Sequence, residues 1–107
     1  MGSEMCIRDS HNTVDTIADG IAVRIPVQES LNDMQGIVDD AILVNEGSIV
    51  KAMQLILQHA GVVSEPSGAV GIAALIENSD QFKGKTVATI ICGGNVTEQQ
   101  FRMWFVV

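Results

Sequence analysis

Apolar positions fall in two rhythms along the chain, short aliphatic or β-branched runs and longer stretches at helical spacing. Ile21-Ala22-Val23-Arg24-Ile25 alternates and then meets Pro26, which predicts a short extended segment ending at an edge or loop. Ser30 with Asp33 is a capping-box variant, and Leu31, Met34, Ile37 and Val38 follow at helical spacing. A short amphipathic helix to about Asp39 is expected. Ala41-Ile42-Leu43-Val44 is a four-residue apolar run, the pattern of a strand covered on both faces. Asn45 is positioned to cap the next helix, whose expected buried stripe is Ile49, Met53, Ile56, Leu57 and Ala60, with Gly61 as the stop.

Pro66 suits the first helical position after Glu65, so Ser67 to Asn78 should be helical. Small residues crowd its first turns, and from Ala69 to Ile76 apolar residues surround its whole circumference. Such a helix must be enclosed on all sides. Thr86-Val87-Ala88-Thr89-Ile90-Ile91 is β-branched and suits a central strand, with Cys92-Gly93-Gly94-Asn95 as the turn at its C-terminal end. Thr97 and Gln100 form a capping box that opens a last helix with Phe101, Trp104 and Phe105 on one face. Strand-helix alternation predicts an α/β fold with parallel pairing. Two convincing strands and one weaker one are too little sheet to bury these helices, so the pattern reads as the C-terminal portion of a larger α/β domain.

Composition narrows the partners. The 107 residues carry 6 basic and 13 acidic side chains, a net charge of -7, and only 4% aromatics. Phosphate backbones and anionic lipid surfaces would repel this chain, which argues against nucleic acid and membrane partners. With 47% hydrophobic residues and a mean hydropathy of +0.28 it is too apolar for a disordered segment. The longest nearly unbroken apolar stretch, Ala69 to Ile76, is far short of a membrane span. Cys6 and Cys92 make neither a disulfide framework nor a zinc site, and a reducing cytoplasm is the expected compartment. Residues 1–10 lack the apolar core of a secretory signal and resemble translated sequencing-adapter read-through, so they are set aside; residues 11–107 are taken as one incomplete domain.

Chemistry concentrates at turns. In open α/β sheets ligands sit beyond the carboxyl ends of strands, which singles out Cys92-Gly93-Gly94-Asn95. Its glycines allow close approach to the backbone, and its free N–H groups favour an anion. A tight turn around a buried small cysteine would give the same pattern. Glu65, at the glycine-rich start Ser64-Glu65-Pro66-Ser67-Gly68-Ala69, is accounted for equally by a capping carboxylate in a favourable macrodipole. His59 fits as a partner of its helix's C-terminal dipole, and His11 has no companion at metal-ligand spacing. The three lysines, Lys51, Lys83 and Lys85, are in exposed-looking settings.

Thr16-Ile17-Ala18-Asp19-Gly20-Ile21-Ala22-Val23, Val38-Asp39-Asp40, Glu65-Pro66-Ser67-Gly68-Ala69 and Cys92-Gly93-Gly94-Asn95, in this order, resemble the C-terminal third of the threonine/serine dehydratases. These are pyridoxal-phosphate enzymes of fold type II, the tryptophan-synthase-β-like fold, with serine racemase among their relatives. The similarity runs from about Thr13 to Trp104. It implies pyridoxal 5'-phosphate as cofactor, an amino-acid substrate, the rest of the parent chain as partner and a homo-oligomer when complete. It further implies that Cys92 lies at the pyridine nitrogen, where the family usually has serine or threonine and in some serine dehydratases cysteine. Gly20 matches the glycine that packs against the ring, and Gly93 and Glu65 match cofactor-binding positions beside it. A weak, neutral donor such as a thiol leaves the pyridine a poorer electron sink, which suits rapid loss of a β-hydroxyl.

The family's Schiff-base lysine, glycine-rich phosphate loop, substrate-carboxylate loop and divalent-metal site all lie upstream of the position matching Thr13. The resemblance therefore implies one wall of an active site, inactive by itself, from an ammonia-lyase that yields a 2-oxo acid. Two other readings stand beside it: a racemase or other β-eliminating enzyme of the same fold, and a standalone, non-catalytic α/β anion-binding module.

Overall fold

The computed structural model describes residues 15–106; residues 1–10, which resemble adapter sequence and include Cys6, lie outside them, as does His11. Two compact units divide the described chain, one of residues 15–16 and 22–43, the other of residues 17–21 and 44–106.

In the first unit, helix α1 spans Gln28–Met34 and buries Leu31. The expected cap at Ser30 is not used. The chain turns helical directly after Pro26 and Val27, so Ser30 and Asp33 fall inside the helix rather than at its start. Nor does the helix reach Asp39. Gly36, at φ 79°, takes the left-handed conformation that ends it, and the Ile37 and Val38 amides close back onto the Met34 carbonyl.

The second unit is built on α2, Glu46–Ala60. Ile49, Ala52, Met53 and Ile56 of α2 are buried and meet Ala18, Ala69 and Ala73 in one apolar cluster. Full burial of a side chain the size of Met53 stabilises the fold by about 1.5–3 kcal/mol. The expected stripe is right in phase, but Leu57 is only half-buried and Ala60 is exposed, because the helix outruns the elements packed on it. Gly61 stops α2 as expected, at φ 67°, its amide donating to the Leu57 carbonyl at 3.0 Å. Asn45 is the N-cap residue, yet its side chain makes no cap bond. Its amide N–H donates to Glu77 Oε2 at 2.7 Å.

Pro66 opens a tight 3-10 turn, Pro66–Ala69, that runs into α3, Val70–Glu77. All four residues of the turn are buried, whereas Ala73 alone is buried in α3. The all-round apolar helix is thus enclosed at its start and left partly open further on. A short helical turn α4, Ser79–Phe82, follows. The last helix, α5, is Glu98–Phe105, with the expected reciprocal capping box between Thr97 and Gln100. Trp104 and Phe105 pack on the apolar cluster, and Gln54 Nε2 donates to the Trp104 carbonyl at 2.8 Å.

None of the three expected strands forms among the described residues. Ile21 instead closes a 3-10 turn, Asp19–Ile21, and the chain bends at Arg24 and Ile25. Residues 41–44 and 86–91 have no ladder partner within residues 15–106. A parallel strand needs a neighbour on each side to satisfy its amides and carbonyls, and apolar side chains on such runs stay in water without one. Ile90 is 83% and Leu43 78% exposed, and Ile42, Val87 and Ile91 are exposed as well.

These uncovered runs generate the first prediction. The chain on its own is expected to self-associate and to unfold without a sharp transition, despite its charge of -7. Light scattering and a thermal melt check it; a clean monomer with a cooperative transition would contradict it.

Candidate functional site

Gly20 is delivered by the 3-10 turn Asp19–Ile21, and the core fixes that turn. Ala18 is buried in the apolar cluster, the Ile17 amide donates to Glu46 Oε2 of α2 at 3.0 Å, and the Ile21 amide returns to the Ala18 carbonyl. Gly20 therefore sits hard against the Pro66–Ala69 turn. A Cβ there would fall 2.8 Å from Ser67 Oγ and 3.4 Å from Glu65 Oε1. Ser67 Oγ is buried and has no hydrogen-bond partner among the described residues.

On the other side of Glu65 lies the Cys92-Gly93-Gly94-Asn95 turn. The Glu65 amide donates to the Gly93 carbonyl at 3.2 Å, and the Asn95 amide donates to Glu65 Oε2 at 2.9 Å. Gly93 has φ 87°, and a Cβ on it would lie 2.9 Å from Glu65 Oε1. A Cβ on Gly94 would come within 2.6 Å of the Val63 carbonyl oxygen. One on Gly68 would come within 2.8 Å of the Cys92 carbonyl oxygen. The stretches 63–68 and 92–95 thus interlock backbone to backbone, with a glycine at each close approach. Further along, Gly71 packs against the Thr89 side chain.

Four residues singled out by the sequence, Gly20, Glu65, Cys92 and Gly93, come together from three separate stretches. Glu65 makes no side-chain cap bond, because its carboxylate is turned onto the Asn95 amide. Cys92 is exposed among the described residues, at the end of the 86–91 run that has no neighbour there. Asp39 and Asp40 belong to the other unit, where Asp40 Oδ1 accepts from the Ala41 amide. Sequence reasoning included Ser67 and Asn95 in their turns without singling either out. Asn95 acts through its backbone, which no residue type advertises.

Beside Glu65 opens a cavity of about 400 Å³, lined by Ile17, Asp19, Gly20, Glu65, Pro66, Asn95, Thr97 and Gln100. That volume lies within the usual range for small-molecule pockets. Among the described residues no cluster of three or more His, Cys, Asp or Glu could hold a metal ion. No helix there is long and apolar enough to cross a membrane.

Residues 3–93 match the family described as pyridoxal-phosphate dependent enzyme. The chain belongs to that family. Within it, the chain is 44% identical over 81 residues to an L-threonine ammonia-lyase of Thermotoga maritima, covering 76% of this chain and 20% of the relative. It is 38% identical over 82 residues to a biosynthetic L-threonine dehydratase of Bacillus subtilis, covering 77% of this chain and 19% of that relative. The chain thus spans about a fifth of the length of these relatives. Its fold resembles a threonine deaminase of T.th., with a TM-score of 0.77 at 26% identity over 83% of this chain and 32% of the other. It also resembles a serine racemase of Dictyostelium discoideum, with a TM-score of 0.70 at 35% identity over 84% of this chain and 29% of the other. As a segment of a fold-type-II pyridoxal-phosphate enzyme, the chain carries polar groups that suit the cofactor: a cavity edged by Gly20 and Glu65, with the unpartnered buried Ser67 hydroxyl packed against Gly20. The Cys92 thiol is exposed but is not among the residues that line this cavity.

The interlock makes a second prediction, tested with this segment grafted in place of its counterpart in the Thermotoga maritima relative. Gly93→Ala should cost about 1–3 kcal/mol, since it combines a left-handed backbone with a contact onto Glu65. Gly47→Ala, in the first turn of α2 with nothing within 4 Å of the new Cβ, should be neutral or slightly stabilising. Denaturant unfolding of both grafts measures the difference.

Proposed function

We propose that this chain forms one wall of the cofactor site in a pyridoxal-phosphate-dependent threonine/serine dehydratase, an ammonia-lyase that converts the amino acid to a 2-oxo acid and ammonia. The reading takes residues 11–107 as part of the dehydratase domain. It takes residues 41–44 and 86–91 as members of a parallel sheet completed by the rest of the parent enzyme, in a cytoplasmic homo-oligomer. The observation that carries it is the convergence of Gly20, Glu65, Gly93 and Cys92 at one place. These residues come from separate stretches of sequence, in a chain whose relatives include threonine ammonia-lyases and dehydratases.

Pyridoxal phosphate, when bound, supplies the electron sink that lets a substrate lose its β-substituent. The chain's own residues do the rest at this wall. Cys92, which the family resemblance puts at the pyridine nitrogen, would offer it a thiol, a weak and neutral donor, and leave that nitrogen without a strong charged partner. Gly20 lines the cavity, and its missing side chain lets the turn seat closely on Ser67 and Glu65. Gly93 and Glu65 border the same surface and keep the turn that carries Cys92 in place. No lysine lines the cavity beside Glu65, so the reading takes the covalent anchor and general base from elsewhere in the parent enzyme.

Alone, the chain should show no serine or threonine turnover and no stoichiometric, site-specific lysine adduct after borohydride reduction with pyridoxal phosphate. Peptide mapping by mass spectrometry reads this, and a single labelled lysine together with turnover would refute it. In the grafted full-length enzyme, Cys92→Ser should retain most activity. Cys92→Asp sets a carboxylate at the pyridine nitrogen and holds a proton there, which should slow elimination and shift products toward racemisation or transamination. An unchanged product ratio in a folded, cofactor-loaded Asp variant would remove Cys92 from the cofactor site.

A further inference from the structure

We propose that Glu65 is a positioning residue: its carboxylate acts on the cofactor only through the Cys92-Gly93-Gly94-Asn95 turn, by accepting a hydrogen bond from the Asn95 amide. This deepens the reading above and rests on it for the identity of the bound group.

The geometry gives Glu65 two holds on the turn. Its own amide donates to the Gly93 carbonyl at 3.2 Å, and its Oε2 accepts from the Asn95 amide at 2.9 Å. Backbone and side chain of one residue thereby grip the peptide units on both sides of Gly94. The remaining oxygen, Oε1, lies over Gly93 and Gly20, where neither glycine offers a side chain to bond it. Glu65 is itself fixed from behind, as its carbonyl accepts from both the Gly68 amide and Ser64 Oγ. Cys92 is the first residue of the gripped turn, and its backbone is wedged against Gly68. If the Asn95 hold is lost, the Gly94–Asn95 peptide is released and the turn keeps only the bond from the Glu65 amide to the Gly93 carbonyl, so the loop that follows Cys92 is held less firmly.

A positioning role and a charge role predict opposite orders for two substitutions. Glu65→Gln keeps the chain length and an acceptor oxygen for the Asn95 amide but removes the charge. Glu65→Asp keeps the charge but is one methylene too short to reach. The experiment uses the grafted full-length enzyme with two readouts: amide hydrogen exchange at Asn95 in the cofactor-free protein, and retention of pyridoxal phosphate on dialysis, followed by its absorbance. Under the proposal, Glu65→Gln stays within about twofold of the parent in Asn95 exchange, while Glu65→Asp exchanges roughly tenfold faster or more. Cofactor retention follows the same order. Equal protection of Asn95 in all three proteins, or better cofactor retention by Glu65→Asp than by Glu65→Gln, would overturn it. Because Asn95 exchange needs no cofactor, a graft that protects Asn95 as expected yet binds no pyridoxal phosphate would sink the functional reading and leave the positioning role standing.

Discussion

The bond from the Asn95 amide to the Glu65 carboxylate is the contact around which the site is arranged. A hydrogen bond to a charged group contributes about 1.5–3 kcal/mol in a protected setting and less near the surface, so its worth here lies in direction more than in energy. It can form only because residues 63–68 and 92–95 approach at backbone distance. Gly68, Gly93 and Gly94 make that approach possible, since a Cβ on any of them would fall within 3 Å of the facing stretch. A side chain at these positions would push the two stretches apart and draw the carboxylate away from its donor.

What holds this arrangement is α2 rather than the site itself. Its buried stripe anchors Ala18 on one side and the Pro66–Ala69 turn on another, while Glu46 in its first turn takes the Ile17 amide. Gln54 ties the same helix to the Trp104 carbonyl of α5. Gly20 and the Glu65 turn are therefore both fixed against one helix, so their relation depends on the core and not on direct bonds between them. The one buried side-chain polar atom left unsatisfied among the described residues is Ser67 Oγ, in the seam between Gly20 and Glu65. An orphaned buried hydroxyl costs about 1–3 kcal/mol, and its persistence at this seam rather than elsewhere in the core is consistent with a site that receives a polar group.

Signals that act within a few residues were legible in the sequence. Gly61 ended α2, Pro66 began a helical turn, and Thr97 with Gln100 made a capping box, because each depends on its own neighbours alone. Signals with a distant competitor were not. Asn45 does take the N-cap position, but its side-chain Nδ2 as well as its amide donates to Glu77 instead of the helix, and Glu65 turns its carboxylate to the Asn95 amide, 30 positions away. Ser30 failed for a different reason: helix entry was set by the preceding Pro26, so a good capping residue arrived one turn late. The glycines at 20 and 93 were visible as candidates, but only the fold reveals that both face the same carboxylate.

The unformed strands follow from the same distinction taken further. A helix satisfies its amides and carbonyls within its own sequence, so α2 and α5 can form from what residues 15–106 contain. A strand satisfies them only through a neighbour, and the β-branched run at residues 86–91 finds none here. The sequence pattern can specify that such a run prefers extended backbone, but not that its partner is present in the same chain. Ile90, the most exposed of these residues, directly precedes Ile91 and Cys92. The surface that lacks a partner therefore runs straight into the Cys92-Gly93-Gly94-Asn95 turn. Whatever covers the first constrains the entry to the second, while the Glu65 grip and the Gly68 contact constrain its exit. Cys92 lies at the junction of these two constraints, and only the second is built from residues of this chain.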